Sequence, residues 1–381
     1  MSIILTDPNT GSDGVFNVIT FVENEQDSYF KLLAENGDEM RVAYIPHLDS
    51  SWGKDDFDLF LFDNPYLNAE NDVFEIYESS LHESIGWIFP ITILVSNDND
   101  FSEVRRLNRY KFAAQSILLN LNKTAAINYY LDSNALITDI YNDSSIICIL
   151  NKQTTSKIND FNINDYILSF YKYGYSFLQE NSVRKKVLEK EDFIREMRQS
   201  RKRISIKKSL FDISLNSYIE SLFKQYLLKT DDFLVRFIFL YQIIEQLMED
   251  EFNILFQQYL TDFTNQNITK NDFKDYINTA SKERELIKFV FNKTIIEANL
   301  KDDFESKFNF LYTELNFKIR NSLPDKIYDF RNLVTHSYRN VMDKIELINV
   351  LIQIFEEIIV CTLINYTGVI QLSPISTAVN I

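Results

Sequence analysis

Arg331, Asn332 and His336 stand within six residues of one another, and Tyr338 follows two places on. Arginine carries a permanent, planar cation whose paired N–H groups match phosphate oxygens. Histidine is the side chain that takes and returns a proton near neutral pH, and the chain has three of them. A cation for the phosphoryl oxygens and a proton carrier for a ribose 2′-hydroxyl or a leaving 5′-oxygen are what metal-free RNA cleavage needs. Asn332 would orient the imidazole or a phosphate oxygen.

The spacing predicts a helix over 325–340 that positions these groups. At about 100° per residue, Ile327, Phe330, Val334, Tyr338 and Val341 share one apolar arc, and Arg331 lies at its edge. Asn332 and His336, four apart, are surface neighbours. Arg331 and His336 are about 140° apart on the same wheel, so they are expected to flank a groove rather than touch. Glu245, on a predicted helix over 231–259, is a further candidate for orienting Arg331 or His336. Its neighbours are apolar, so its carboxylate must face the cleft or pair with a charge.

The rest of the chain reads as α+β. Its 381 residues are 45% hydrophobic and include 31 Phe and 21 Tyr, enough for a sizeable core. Residues 1–183 form an acidic, strand-rich part, with strands expected near 15–21, 40–45, 57–62, 73–77, 87–95, 126–131 and 146–150 and helices near 105–121 and 165–179. Residues 184–208 form a basic junction. Residues 209–381 are helical, with helices expected near 215–229, 231–259, 270–292, 301–322, 325–340 and 342–366.

Net charge is −16, which opposes nucleic-acid binding on average. The distribution is polarised: residues 1–100 carry twenty acidic and three basic side chains, and 184–208 eleven basic and four acidic. Arg198, Arg201, Lys202 and Arg203 in that basic run are candidates for RNA phosphate contacts, or else intramolecular partners for the acidic half. The aromatics of 166–177 read as core. Cys148 and Cys361 read as buried apolar residues, and no Cys/His cluster suggests a metal site. The scattered glycines offer no phosphate loop, which argues against a kinase, a P-loop ATPase or a dinucleotide-binding enzyme. Segment 345–366 is apolar, but Glu356 and Glu357 at its centre favour a buried helix over a membrane span. No signal-peptide pattern opens the sequence, and a cytoplasmic location is expected.

The Arg331-Asn332-xxx-His336 run resembles the R-N-x3-H signature of the HEPN superfamily, and the resemblance covers roughly 210–370. The motif's place on a late helix before a long apolar one fits, as does the earlier segment 239–245. The resemblance implies a metal-independent endoribonuclease that acts as a homodimer, needs no cofactor and leaves 2′,3′-cyclic phosphate ends. Arg331, Asn332 and His336 would be its catalytic set. It also implies a toxin-like effector in bacterial anti-phage defence, similar to the Apea-like group, with a phage-derived trigger that releases it or an antitoxin that restrains it as partner. Tyr338 matches the tyrosine that accepts AMP in HEPN toxins paired with nucleotidyltransferases, although the helical wheel assigns it to the apolar arc. The alternatives are a non-catalytic HEPN scaffold for protein interaction and a nucleotide-binding regulator.

Overall fold

The computed structural model describes residues 3–7, 11–23, 28–46, 53–67, 71–98, 100–101, 103–121, 123–126, 135–178 and 202–368. The chain is α+β: strand-rich in its N-terminal region and helical in its C-terminal region. It divides into two compact units, Met1–Asn164 with Tyr173–Lys207, and Asp165–Lys172 with Lys208–Ile381. The helix within 165–172 therefore belongs with the C-terminal unit, and most of the described part of the expected junction belongs with the first.

In the first unit, one sheet has the order β4-β3-β2-β1-β8, built from β1 (Ile3–Thr6), β2 (Asp13–Glu23), β3 (Ser28–Ala34), β4 (Glu39–Ala43) and β8 (Lys123–Ala126). Alternation drives it: Phe30, Leu32 and Ala34 of β3 and Met40 and Val42 of β4 turn inward, with Lys31, Leu33 and Arg41 between them less buried or exposed. The β3–β4 hairpin turns at Asn36-Gly37, where Gly37 takes φ +94°, a backbone that glycine adopts without a Cβ clash.

The second sheet has the order β10-β5-β9-β7-β6-β11. Its strands are β5 (Phe57–Asp63), β6 (Phe74–Glu78), β7 (Glu83–Pro90), β9 (Ile146–Asn151), β10 (Ser176–Phe177) and β11 (Arg203–Ile206). Central β9 is buried along its whole length, which is why its apolar residues run on without alternation. Parallel pairing of β11 with β6 draws the end of the basic run into this sheet. Arg203 Nε donates to Glu75 Oε2 at 2.9 Å, and Lys202 lies 3.7 Å from Asp100 and over the Phe101 ring. These two cations are held by the acidic half, the intramolecular one of the two expected roles. Arg198 and Arg201 lie outside the described residues, as do 127–131 of the expected strand.

α1 (Arg105–Leu118) centres its buried arc on Lys111, flanked by Leu107, Ala114, Gln115 and Leu118. Lys111 is 0% exposed and its Nζ has no hydrogen-bond partner. Burial pushes the amine down to about 8 from 10.5. Between those two values the unfolded chain holds a proton that the folded chain has shed, so stability rises with pH through that window and stays at its lower level below it. Lys111→Met is therefore expected to stabilise the protein at pH 7, by up to about 3 kcal/mol, and to flatten that rise. Thermal unfolding at pH 7 and pH 10 checks this; a variant less stable than wild type at pH 7 would contradict it.

The second unit contains α2 (Ile167–Lys172) and α3, in which Ser217–Ser221 passes through a π turn at Leu222–Tyr226 into Leu227–Lys229. Long α4 (Phe233–Thr264) follows, then α5 (Lys270–Ala280), α6 (Glu283–Asn292), α7 (Ala298–Glu314), α8 (Leu323–His336) and α9 (Ile345–Asn365). The single helix expected over 270–292 is two, parted at Ser281-Lys282. Phe330 of α8 is the hub of the core, with ring centroids of Phe237, Phe304, Phe308 and Phe355 at 5.3–6.5 Å. Tyr166, Phe170, Tyr171 and Tyr175 are buried, as core residues should be.

One helix among the described residues, Val341–Asn365, is long and apolar enough to cross a membrane, and 78% of its apolar window is buried within the protein. Glu356 at its centre faces Arg236 of α4, whose Nε and Nη2 donate to Glu356 Oε2 at 3.0 and 2.5 Å. Tyr171 donates to the other carboxylate oxygen at 2.8 Å. The Arg236 Nη1 group donates to the carbonyls of Leu227 and Thr230, both at 2.6 Å.

Candidate functional site

Ser322 caps α8 by accepting from the Asp325 N–H, and Pro324 stands in the first turn, where its missing N–H costs nothing. Leu323, Ile327, Phe330, Leu333 and Val334 bury one face. The helix stops at His336, earlier than the expected 340. The chain continues as a 3₁₀ turn, Tyr338–Lys344, in which Val341 is fully buried with non-helical backbone (φ −126°, ψ 16°). His336 is thus the last helical residue and is exposed, while Arg331 and Asn332 are half-buried. Tyr338, expected on the apolar arc, is half-buried in the 3₁₀ turn.

The catalytic candidates do touch, contrary to the helical-wheel expectation. Arg331 Nη1 lies 3.0 Å from His336 Nε2 and donates to Asn332 Oδ1, also at 3.0 Å. A wheel treats side chains as radial spokes; the long arginine stem runs along the surface and closes the 140° gap. Because a guanidinium has no acceptor, Nε2 must accept in this contact, which places the neutral ring's proton on Nδ1. Thr335 secures the turn by donating to the Arg331 carbonyl at 2.7 Å.

The carboxylate beside Arg331 is Glu283, not Glu245. Glu283 Oε1 stands 3.5 Å from Arg331 Nε and accepts from the Tyr241 hydroxyl at 2.7 Å. The Arg331 guanidinium lies over the Tyr241 ring, 5.6 Å from its centroid. Burial, then the bond to Glu283, hold the Tyr241 phenol well above its ordinary value, so it is a neutral donor at physiological pH. Glu245, one turn along α4 from Tyr241, is exposed, and no hydrogen bond or ion pair joins it to Arg331 or His336. Glu283 sits in the charge run Lys282-Glu283-Arg284-Glu285, which in sequence reads as an ordinary solvated helix start. Tyr241 and Glu245 share the i, i+4 spacing of one α4 face, and that spacing was the readable signal for Tyr241.

Arg284 Nε, next to Glu283, donates to Asp325 Oδ1 at 2.6 Å and so fixes α6 against the first turn of α8. This clamp and the Phe330 hub hold the backbone under Arg331 on both sides. The resulting site is an open cation–imidazole pair with an amide and a carboxylate around the cation. It can bind an anion and exchange a proton with it. Among the described residues no group of three or more His, Cys, Asp and Glu is placed to hold a metal ion. Comparison with protein-family models, with curated proteins and with solved structures gives no match.

Proposed function

We propose that the helical unit is a HEPN-like, metal-independent endoribonuclease with Arg331, Asn332 and His336 as its catalytic set. The observation that carries this reading is the 3.0 Å Arg331–His336 contact on an exposed helix end. At rest the Arg331 N–H occupies the Nε2 lone pair of His336. A phosphodiester is a stronger acceptor for a guanidinium than a neutral imidazole is, so an arriving phosphate draws Arg331 away and frees Nε2. His336 then takes the proton of the ribose 2′-hydroxyl as that oxygen attacks the adjacent phosphorus. The P–O5′ bond breaks and the leaving 5′-oxygen gains a proton from an imidazolium. The acid is His336 itself or its counterpart in a homodimer. Arg331 stabilises the charge on the non-bridging oxygens, and Asn332 keeps the guanidinium in place.

In this reading the acidic first unit weakens RNA binding by repulsion, so that cutting at low protein concentration awaits a phage-derived trigger or the loss of an antitoxin, while high concentration overcomes it. The defence role and the homodimer rest on the HEPN resemblance. A non-catalytic scaffold would have no need to expose the imidazole beside a cation.

The test is purified full-length chain incubated with single-stranded RNA in excess EDTA. Fragmentation is the expected result, and intact RNA at high enzyme concentration would overturn the reading. Glu283→Gln, which loosens Arg331, is expected to lower kcat by roughly tenfold, about 1.4 kcal/mol, with KM little changed. Steady-state kinetics on a defined oligoribonucleotide checks it, and an unaltered kcat would remove Glu283 from the site.

A further inference from the structure

An open cleft in the helical unit is lined by Tyr218, Tyr226 and Phe239 together with Leu222, Ser217 and Ser221. Its volume, about 350 Å³, falls in the small-molecule range. Tyr218 and Tyr226 are 40% and 50% exposed although both are large aromatics that a core would absorb. Two devices hold them there. The π turn at Leu222–Tyr226 winds more slowly than an α-helix and so keeps Tyr226 in line with Tyr218 and Leu222, and π turns recur at functional sites. The Tyr218 hydroxyl is bonded to the Gln242 side chain, and the Tyr226 and Phe239 rings lean together at 5.8 Å.

The cleft is joined to the Arg331 site by one open surface. Going round α4 from Tyr241 at about 100° per residue, Glu245, Ile238, Gln242 and Val235 come in turn before Phe239, roughly 160° away. Glu245, Ile238 and Val235 are exposed, and Gln242 is half-exposed. The two sites therefore lie on nearly opposite flanks of α4, roughly half a helix circumference apart over the surface. A chain held by its phosphate at Arg331 and crossing this face would bring a base a few nucleotides along over the aromatic rings.

The geometry points to a nucleobase subsite: Tyr218, Tyr226 and Phe239 stack a base of the RNA substrate close to, but not at, the bond cleaved. The inference rests on the endoribonuclease reading. Flat aromatic faces take any base by stacking, so recognition is tolerant of sequence. A protein partner on the same rings is the competing occupant.

The experiment uses the full chain carrying His336→Ala, which binds without cutting, and a single-stranded oligoribonucleotide with 2-aminopurine placed at successive positions. Quenching of 2-aminopurine at one or two adjacent positions is expected, with binding weakened about tenfold by Tyr226→Ala and restored by Tyr226→Trp. In an otherwise wild-type background Tyr226→Ala should raise KM by a similar factor and leave kcat in place. Quenching unaffected by Tyr226→Ala and Phe239→Leu would overturn the subsite, as would a change of molecular mass in solution with RNA affinity unchanged. Tyr226-dependent quenching by a chain that never cuts RNA would keep the subsite and remove the nuclease reading. Cutting without Tyr226-dependent quenching would do the reverse.

Discussion

Arg331→Ala and His336→Ala are each expected to lower RNA cleavage at least a hundredfold, while the melting temperature stays within a degree or two of wild type. The size follows from the roles: a positioned general acid–base contributes about 10²–10⁴ in rate, and a cation on the developing phosphoryl charge a comparable factor. Stability should hold because His336 is exposed and Arg331 is 23% exposed, with its guanidinium held by Glu283, Asn332, His336 and the face of Tyr241 at the rim of the helical unit rather than in its apolar core. The double variant should lose little more than either single one, because the two groups act on one transition state and their losses do not add. Cleavage rates with thermal melts of all three proteins check this. Full additivity would mean that the pair does not work as a unit.

The largest effect on stability should come from Arg236. Arg236 and Glu356 are each 2% exposed and bonded to one another, to Tyr171 and to two backbone carbonyls. Removing one charge takes from the other its closest buried partner, so Arg236→Met is expected to cost about 3–5 kcal/mol, measured by denaturant unfolding. Glu356→Leu should cost as much. The combination Arg236→Met with Glu356→Leu should recover most of the loss, since no lone charge remains, although the Leu227 and Thr230 carbonyls stay without their donor. If the double variant were as unstable as the sum of the singles, packing rather than charge would be the main contribution of this pair.

Much of the architecture could be read from residue order, and what could not has physical reasons. β9 and α9 are uninterrupted apolar runs and α8 has a strong start signal in Ser322 and Pro324, so all three were legible. β3 was not anticipated, because its alternation is short and Lys31 breaks the apolar impression; the Asn36-Gly37 turn was the better clue. The break at Ser281-Lys282 carries no glycine or proline, and neither does the end of α8 at His336, beyond which Val341 is buried from a non-helical backbone. At the candidate site, the residue types were legible from 331–338, but their contact was not. Side-chain reach decides whether Arg331 meets His336, and a helical wheel holds no such information. Glu283 comes from a helix some fifty residues earlier and becomes visible only when α6 packs on α8. The π turn that sets out Tyr226 likewise has no signature in sequence.

The chemical nature of the fragment ends tests the central claim most directly. RNA cut by the full-length chain in EDTA should carry 2′,3′-cyclic phosphate on one fragment and a free 5′-hydroxyl on the other, as attack by the neighbouring ribose hydroxyl requires, with neither produced by the His336→Ala chain. Fragments bearing 5′-phosphate and 3′-hydroxyl ends, or the same fragments from the His336→Ala chain, would contradict it.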